Sequence, residues 1–329
     1  MSFALVLAPL AFALAPPAEQ PFPLTNATLK TDGARYYVEG RVRLSRNQTV
    51  TSLRRMTLVG RGENAVLEVS GKLEIKAATG GRCTIENLTI ELMPDCKDFL
   101  LTEADLSGSS AIVTGLEGPA NCEVYLQHLS LRGATRIELE MAGGQVDLQN
   151  SFVGSPVVIR GVHPSEKNRA KLKVIVLENK TASGGLVGGL LLEEAWDALV
   201  RNNDLAGERT RISNCRKLDF DGNNLRSARF ELLQASVKDF AKTKVQSCDF
   251  QSGDTRIYAP GDPEEPEKLE RFTIHTSWFG GETDADTIRR ERVIDGGREE
   301  GNGMLVTFKK TSSRMRGLGG TLLARPGSR

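Results

Sequence analysis

The strongest constraint on the fold is a short segment that returns along the chain: an apolar residue, two or three polar residues often including Asn, and a second apolar residue five positions after the first. Eight copies are legible: Ile85–Ile90 (IENLTI), Leu126–Leu131 (LQHLSL), Leu148–Val153 (LQNSFV), Leu177–Ala182 (LENKTA), Val200–Leu205 (VRNNDL), Phe220–Leu225 (FDGNNL), Val245–Phe250 (VQSCDF) and Ile274–Phe279 (IHTSWF). Successive first residues lie 20 to 29 apart after an opening gap of 41, which is close to two repeats; Ala111-Ile112-Val113 is the strand expected inside it. A period of this length, carried by alternating β-type segments and not by helical spacing, predicts a β-solenoid in which each repeat is one coil. Within a copy the chain alternates, as in Ala198-x-Val200 and Leu218-x-Phe220, so one set of side chains enters the core and the other faces out.

Asn at the corners has a physical reason. It tolerates a left-handed backbone, and its amide can bond both the turn and a stacked copy one coil away. Asn87, Asn150, Asn179, Asn203 and Asn223 are the expected corner residues. Leucine-rich repeats share the period, but their longer Leu-x-x-Leu-x-Leu consensus with a helical half is missing. A sandwich or antiparallel barrel would need more frequent hairpin turns than the sparse Asn-Gly and Asp-Gly pairs supply.

Over roughly residues 30 to 310 the chain resembles the pectin-lyase-like right-handed parallel β-helix superfamily. The stretch Leu53-Arg-Arg-Met-Thr-Leu-Val-Gly-Arg-Gly, followed by Ala65-Val-Leu-Glu-Val, is similar to that group's first coil. Thr276-Ser-Trp-Phe-Gly280, Thr287-Ile288, Val293-Ile-Asp295 and Gly303-Met-Leu-Val-Thr-Phe308 are similar to the Asn-Tyr/Trp-Trp-Gly ending of many bacterial exported members, although Ser277 stands where Asn is usual and no Pro follows Phe308. The resemblance implies an all-β, right-handed parallel β-helix with N- and C-terminal caps, and it speaks to architecture more than to function.

The composition fits that expectation. With 39% hydrophobic residues, 26% charged residues and a formal net charge of +1 in 329 residues, the chain reads as folded and water-soluble, and the balanced charge argues against nucleic acid as a partner. An apolar run from Phe3 to Ala15 is too short to span a bilayer and reads as a secretory signal, giving a signal peptide over 1–18 and an exported protein: extracellular, periplasmic or at the cell surface. The expected organisation continues with one β-helix domain over 20–310, caps included, and a basic flexible tail over 311–329. No later stretch is apolar enough to cross a membrane, and a monomer is expected. Five cysteines, an odd number without a C-x-x-C pair, suggest neither a zinc ribbon nor a complete disulfide framework and read mostly as buried small hydrophobes, and three histidines without H-E-x-x-H point to no histidine-based metal site.

A solenoid exposes strand edges at its two ends, so residues 20–50 are expected to cap one, and the segment from Trp278, with Asp284, Asp286 and Asp295 on turns, to fold back over the other. Residues 161–172, around His163-Pro164, and 258–270, where Pro260, Pro263 and Pro266 interleave with acids, read as surface insertions. Gly184-Gly-Leu-Val-Gly-Gly189 lacks the Lys-Ser/Thr of a P-loop and reads as a flexible turn.

Residues flanking each inward anchor face outward and stack about 4.8 Å apart in successive coils. Just after the anchors lie Glu86, Gln127, Gln149, Glu178, Arg201, Asp221, Gln246 and His275; just before them lie Thr84, Tyr125, Asp147, Val176, Leu199, Asp219, Lys244 and Thr273. Glu178, Arg201, Asp219, Asp221 and Lys244 are therefore expected to share one patch. Uronic-acid chemistry would use Arg201, Asp221 and Lys244 as catalytic groups, Glu178, Asp219 and His275 to hold substrate, and Ca²⁺ at Asp219 and Asp221. Glycoside hydrolysis by a carboxylate pair is a further option. The competing reading is a stacked ladder of opposite charge that only stabilises the sheet. Low aromatic content, 5%, leaves few sugar-stacking platforms, and Trp196 and Trp278 are read as core or cap residues. Asn26, Asn47, Asn87 and Asn179 begin Asn-x-Thr sequons and are read as turn residues, not glycan acceptors. The chain thus reads as an exported polysaccharide-associated or surface-structural protein that binds extended glycans, with a Ca²⁺-assisted lyase or a glycoside hydrolase as the alternative.

Overall fold

A computed structural model of the chain describes residues 22–25, 29, 34–52, 55–77, 80–115, 117–162, 171–180, 185–234, 242–251, 254–258, 271–275, 277–279, 293–295 and 305–309. The segments expected as a signal peptide (1–18), a tail (311–329) and an insertion around Pro260–Pro266, together with His163-Pro164, Asp284, Asp286 and Thr287-Ile288, lie outside them. Among the described residues every regular element is a strand, and every strand pairing is parallel. The result is a parallel β-solenoid whose coil has three faces.

Face three shows how the sequence builds the stack. Its inward side chains form one column in register: Val50, Ile75, Leu101, Leu126, Leu148, Val176, Val200, Phe220, Val245 and Ile274. From Ile75 to Phe220 the members of this column have no exposed surface, and each fully buried apolar side chain of this kind contributes about 1.5–3 kcal/mol. Face two stacks Arg136–Met141 on Val157–Gly161 and Leu190–Glu193 on Arg209–Ser213, then Arg229–Leu233 and Asp254–Tyr258. Face one carries short strands, among them Ser130–Leu131, Phe152–Val153, Asp204–Leu205, Asn224–Leu225 and Asp249–Phe250. Phe220, Phe230 and Phe250, one from each face, meet in the interior with ring centroids 5.6 and 5.8 Å apart.

The expected corner chemistry divides between two adjacent positions. The last residue of each face-three strand is followed by a left-handed residue: His128, Asn150, Glu178, Asn202, Gly222 and Ser247 all have φ between 49° and 64°. The next residue points inward and forms a buried ladder. Ser151 N donates to Asn179 Oδ1 (2.9 Å), Asn179 N and Nδ2 donate to Asn203 Oδ1 (3.1 and 2.8 Å), and Asn203 N and Nδ2 donate to Asn223 Oδ1 (both 3.0 Å). The same amides reach across to Leu148 O, Val176 O and Val200 O at 2.8–3.0 Å. Asn150 and Asn87 therefore meet the left-handed expectation, whereas Asn179, Asn203 and Asn223 meet the stacking one. Ser277 serves the ladder where Asn was expected, its Oγ accepting from Cys248 N at 3.2 Å.

Four expectations need correction. Ile85 and Glu86 lie on face one, paired with Leu58 and Leu106 and with Val59 and Ser107, while Leu101 supplies the missing rung of face three; Ala111–Thr114 belongs to face two. The corner from face one to face two at Ile85–Ile90 has the same five-residue apolar-turn-apolar spacing as the corners after face three, so spacing alone does not say which corner a copy occupies. Second, the anchor of the fourth copy is Val176, not Leu177: Val176 pairs Leu148 and Val200, and Leu177 faces out. Third, the Gly-rich run is a packed rung. Leu186 is fully buried and bridges Val153 and Leu205, and a Cβ on Gly188 would lie 1.9 Å from Ser155 C. Fourth, the described parts of the C-terminal segment extend the stack and do not fold back. Val293–Asp295 pairs with Thr255–Ile257, and Leu305–Lys309 with Arg271–His275. At the other end Arg35–Leu44 and Gln48–Ser52 form the first coil, and Phe22–Pro23 adds a strand beyond Tyr36–Tyr37.

Candidate outer face of the third sheet

Because side chains alternate, face three carries two outward columns that the register now defines. One runs Thr102, Gln127, Gln149, Leu177, Arg201, Asp221, Gln246. The other runs Glu74, Leu100, Tyr125, Asp147, Ile175, Leu199, Asp219, Lys244.

The structure brings together four of the six sequence-derived site residues. Arg201 and Asp221 are partners across adjacent coils, as are Asp219 and Lys244. The Arg201 guanidinium is hydrogen-bonded to Asp219 Oδ2, and Gln246 Nε2 donates to Asp221 Oδ2 at 2.8 Å. Lys244 is exposed. His275 pairs with Gln246 in the strand register, and its side chain lies outside the described set. Glu178 does not join: the one-residue shift of its anchor places it on the left-handed corner, exposed, with its backbone N–H donating to Arg201 O at 3.0 Å.

The electrostatics sort the roles. The hydrogen bond to Asp219 is the largest influence on Arg201 and raises its pKa. An arginine held more firmly protonated is a poor general base and a good partner for an anionic group. Asp219 Oδ2 already accepts from Arg201 and Asp221 Oδ2 from Gln246, while Asp219 Oδ1 is buried with no hydrogen-bond partner. Seating Ca²⁺, which takes six or more oxygen ligands, would require displacing those donors. Among the described residues no group of three or more His, Cys, Asp or Glu is arranged to hold a metal ion.

A second part of the face was not singled out in the sequence. Asp147 occupies the column between Tyr125 and Ile175 and is 6% exposed. A short carboxylate between longer apolar and aromatic neighbours loses solvent, and that desolvation, opposed by a hydrogen bond from Gln149, raises its pKa. Tyr125 Oη donates to Glu123 Oε2 at 3.1 Å; Ile175 and Leu177 lie half-buried one coil beyond Asp147, and Leu199 two coils beyond. The signal in the sequence was the pair Val176-Leu177: with Leu177 outward, Ile175 and Leu177 both face out on the coil next to Asp147. Trp196 is likewise not in the core. It is half-buried at the corner leading into face three, with the Arg216 guanidinium 3.8 Å from its ring centroid. The side chain of Trp278 lies outside the described set.

Face two offers the contrast. There Arg160 bridges Glu140 (2.5 Å) and Glu193 (2.9 Å), and Arg209 pairs with Glu231, a closed ladder of opposite charge. Such half-exposed pairs contribute little individually and serve mainly to hold register. Comparison with known protein families, with characterised proteins and with solved structures finds no match to this chain.

Proposed function

We propose that the chain is an exported β-helix protein, resembling the pectin-lyase-like superfamily, that binds an extended polysaccharide or cell-surface glycan along the outer side of face three. The observation that carries this reading is the register itself. It lines up Tyr125, Gln149, Arg201, Asp221, Gln246 and Lys244 on one straight surface with about 4.8 Å between coils. Hydroxyl-rich chains are held by such repeated amide and charged groups, and Tyr125 and the half-buried Leu177 and Leu199 supply apolar surface for sugar faces. Arg201 and Lys244 favour acidic sugars.

The test is binding of the purified chain to a panel of neutral and uronic polysaccharides, with product analysis in the presence of Ca²⁺ or chelator. Retention on at least one uronic polymer, with no new reducing ends or unsaturated products, is expected. Arg201→Ala and Lys244→Ala should each weaken it at least fivefold while leaving the circular dichroism spectrum unchanged. No retention on any polymer, or unchanged retention in both variants, overturns the proposal.

One observation favours a second reading, a glycoside hydrolase. Asp147 sits between Tyr125 and Ile175 on this surface, and its desolvation raises its pKa, the direction a general acid requires. New reducing ends in the same assay, abolished in Asp147→Asn, would establish it; calcium-dependent unsaturated products would instead establish a lyase.

A further inference from the structure

Among the described residues, one pair of cysteine side chains is in direct contact. Cys96, in the strand Thr89–Thr102, and Cys122, which opens Cys122–Gln127, belong to successive coils, and the Cys122 thiol donates to Cys96 Sγ at 3.6 Å. Both are buried, Cys96 at 2% and Cys122 at 0% exposure. A register shift between Gly71 and Lys72, where Gly71 pairs Cys96 and Lys72 pairs Asp98, turns Cys96 towards this contact. Glycine stands on either side of the pair, Gly71 against Cys96 and Gly144 against Cys122. The other three cysteines are placed differently: Cys215 and Cys248 lie against backbone carbonyls, and Cys83 sits on face one beside Met56 and Ala104.

We propose that Cys96 and Cys122 are a disulfide-forming site that staples two successive coils, with a low-molecular-weight disulfide such as oxidised glutathione as oxidant. Neighbouring parallel strands hold their Cα atoms within the range a disulfide spans, so closing the sulfur–sulfur distance to about 2.05 Å needs side-chain rotation and no rearrangement of the coils. The chemistry is two successive exchanges. One cysteine thiolate attacks the small disulfide and releases one equivalent of small thiol, leaving a mixed disulfide. The second cysteine then attacks that protein sulfur, forms the Cys96–Cys122 bond and releases a second equivalent. Two protein thiols lose two protons and two electrons, and one small disulfide is reduced to two thiols. The contact with Cys96, followed by burial, holds the Cys122 thiol pKa up, so exchange is slow in the folded chain and proceeds during folding, before the corner closes. The inference does not depend on the glycan reading.

The experiment refolds the full chain from denaturant in a glutathione redox couple, alkylates free thiols under denaturing conditions and maps tryptic peptides by mass spectrometry. Three alkylated cysteines are expected, with the peptide Cys83–Lys97 linked to Asp98–Arg132. Because the first of these peptides carries both Cys83 and Cys96, the link should persist in Cys83→Ser and vanish in Cys96→Ser. Reduction of the linked wild-type chain should lower Tm by a few degrees, a readout independent of whether either variant folds well. Five alkylated cysteines after refolding, or a link that survives Cys96→Ser, overturns the proposal.

Discussion

At the residue scale, the corner shows how two adjacent polar positions do different work. Asn203 is fully buried, and its amide satisfies Asn179 N and Nδ2 on one side and bonds Val176 O and Asn223 Oδ1 on the other. Truncation leaves several of these groups without partners in a site that excludes solvent, so Asn203→Ala should cost about 2–4 kcal/mol in urea unfolding. Asn202, one residue earlier, has φ of 56° and is half-exposed. There glycine adopts the same backbone freely, and Asn202→Gly should change stability by less than about 0.5 kcal/mol. Equal effects of the two substitutions would show that the ladder is not what holds the corner. That Asn belongs at the corner was legible in the sequence. Which Asn turns the backbone and which fills the interior was not, because both tolerances reside in the same side chain.

At the element scale, the rung formed by the Gly-rich run depends on backbone approach, not on looseness. A Cβ at Gly188 would meet Ser155 C, Ser155 O and Pro156 N at 1.9–2.4 Å, all backbone atoms that can move only by parting the coils. Gly188→Ala should therefore destabilise by more than about 3 kcal/mol or abolish soluble folding. Gly62→Ala, where φ is 85° and nothing lies within 4 Å, should cost only about 1 kcal/mol from backbone strain. Thermal melts of the two variants make the comparison, and a Gly188→Ala melt as high as that of Gly62→Ala would refute the packing argument. Face assignment belongs to the same scale. A one-residue slip inverts every side chain of a strand, and at Val176-Leu177 both residues are apolar, so the pattern offered no choice between them. Hydrogen-bond register made the choice, and with it removed Glu178 from the candidate site and turned both Ile175 and Leu177 outward on the coil next to Asp147.

At the scale of the whole molecule, a formal net charge of +1 hides columns in which carboxylates and cations alternate between coils, so response to acid is the sum of opposing contributions. Glu74, hydrogen-bonded by Lys72, Lys76 and Thr49, has its pKa lowered from 4.5 to about 2. Between those values the unfolded chain binds the proton and the folded chain does not, so this group's stabilisation is present above about pH 4.5 and is lost as pH falls towards 2. Asp147 has the reverse sign: its raised pKa favours the protonated folded state, so its contribution weakens as pH rises past 3.8. Urea midpoints measured from pH 6 down to 2 should fall less steeply in Glu74→Gln than in the wild type, the two curves converging near pH 2. Parallel curves would mean that the Lys72 and Lys76 contacts do not persist in solution.

Taken by itself, the amino-acid sequence determined the architecture: the low-twenties recurrence of alternating apolar residues can bury its anchors only by stacking coil on coil, and parallel pairing follows from that stacking. It also placed Arg201, Asp219, Asp221 and Lys244 on one outward surface, because side-chain alternation is a local property of the strand. Tertiary structure alone decided what depends on the neighbouring coil: the identity of each face, the outward turn of Leu177, the partial burial of Asp147 and the contact of Cys96 with Cys122. The physical reason is that pairing in a solenoid joins residues some twenty or more positions apart, and intervals that vary from one repeat to the next leave that partner undetermined until the hydrogen-bond register is set.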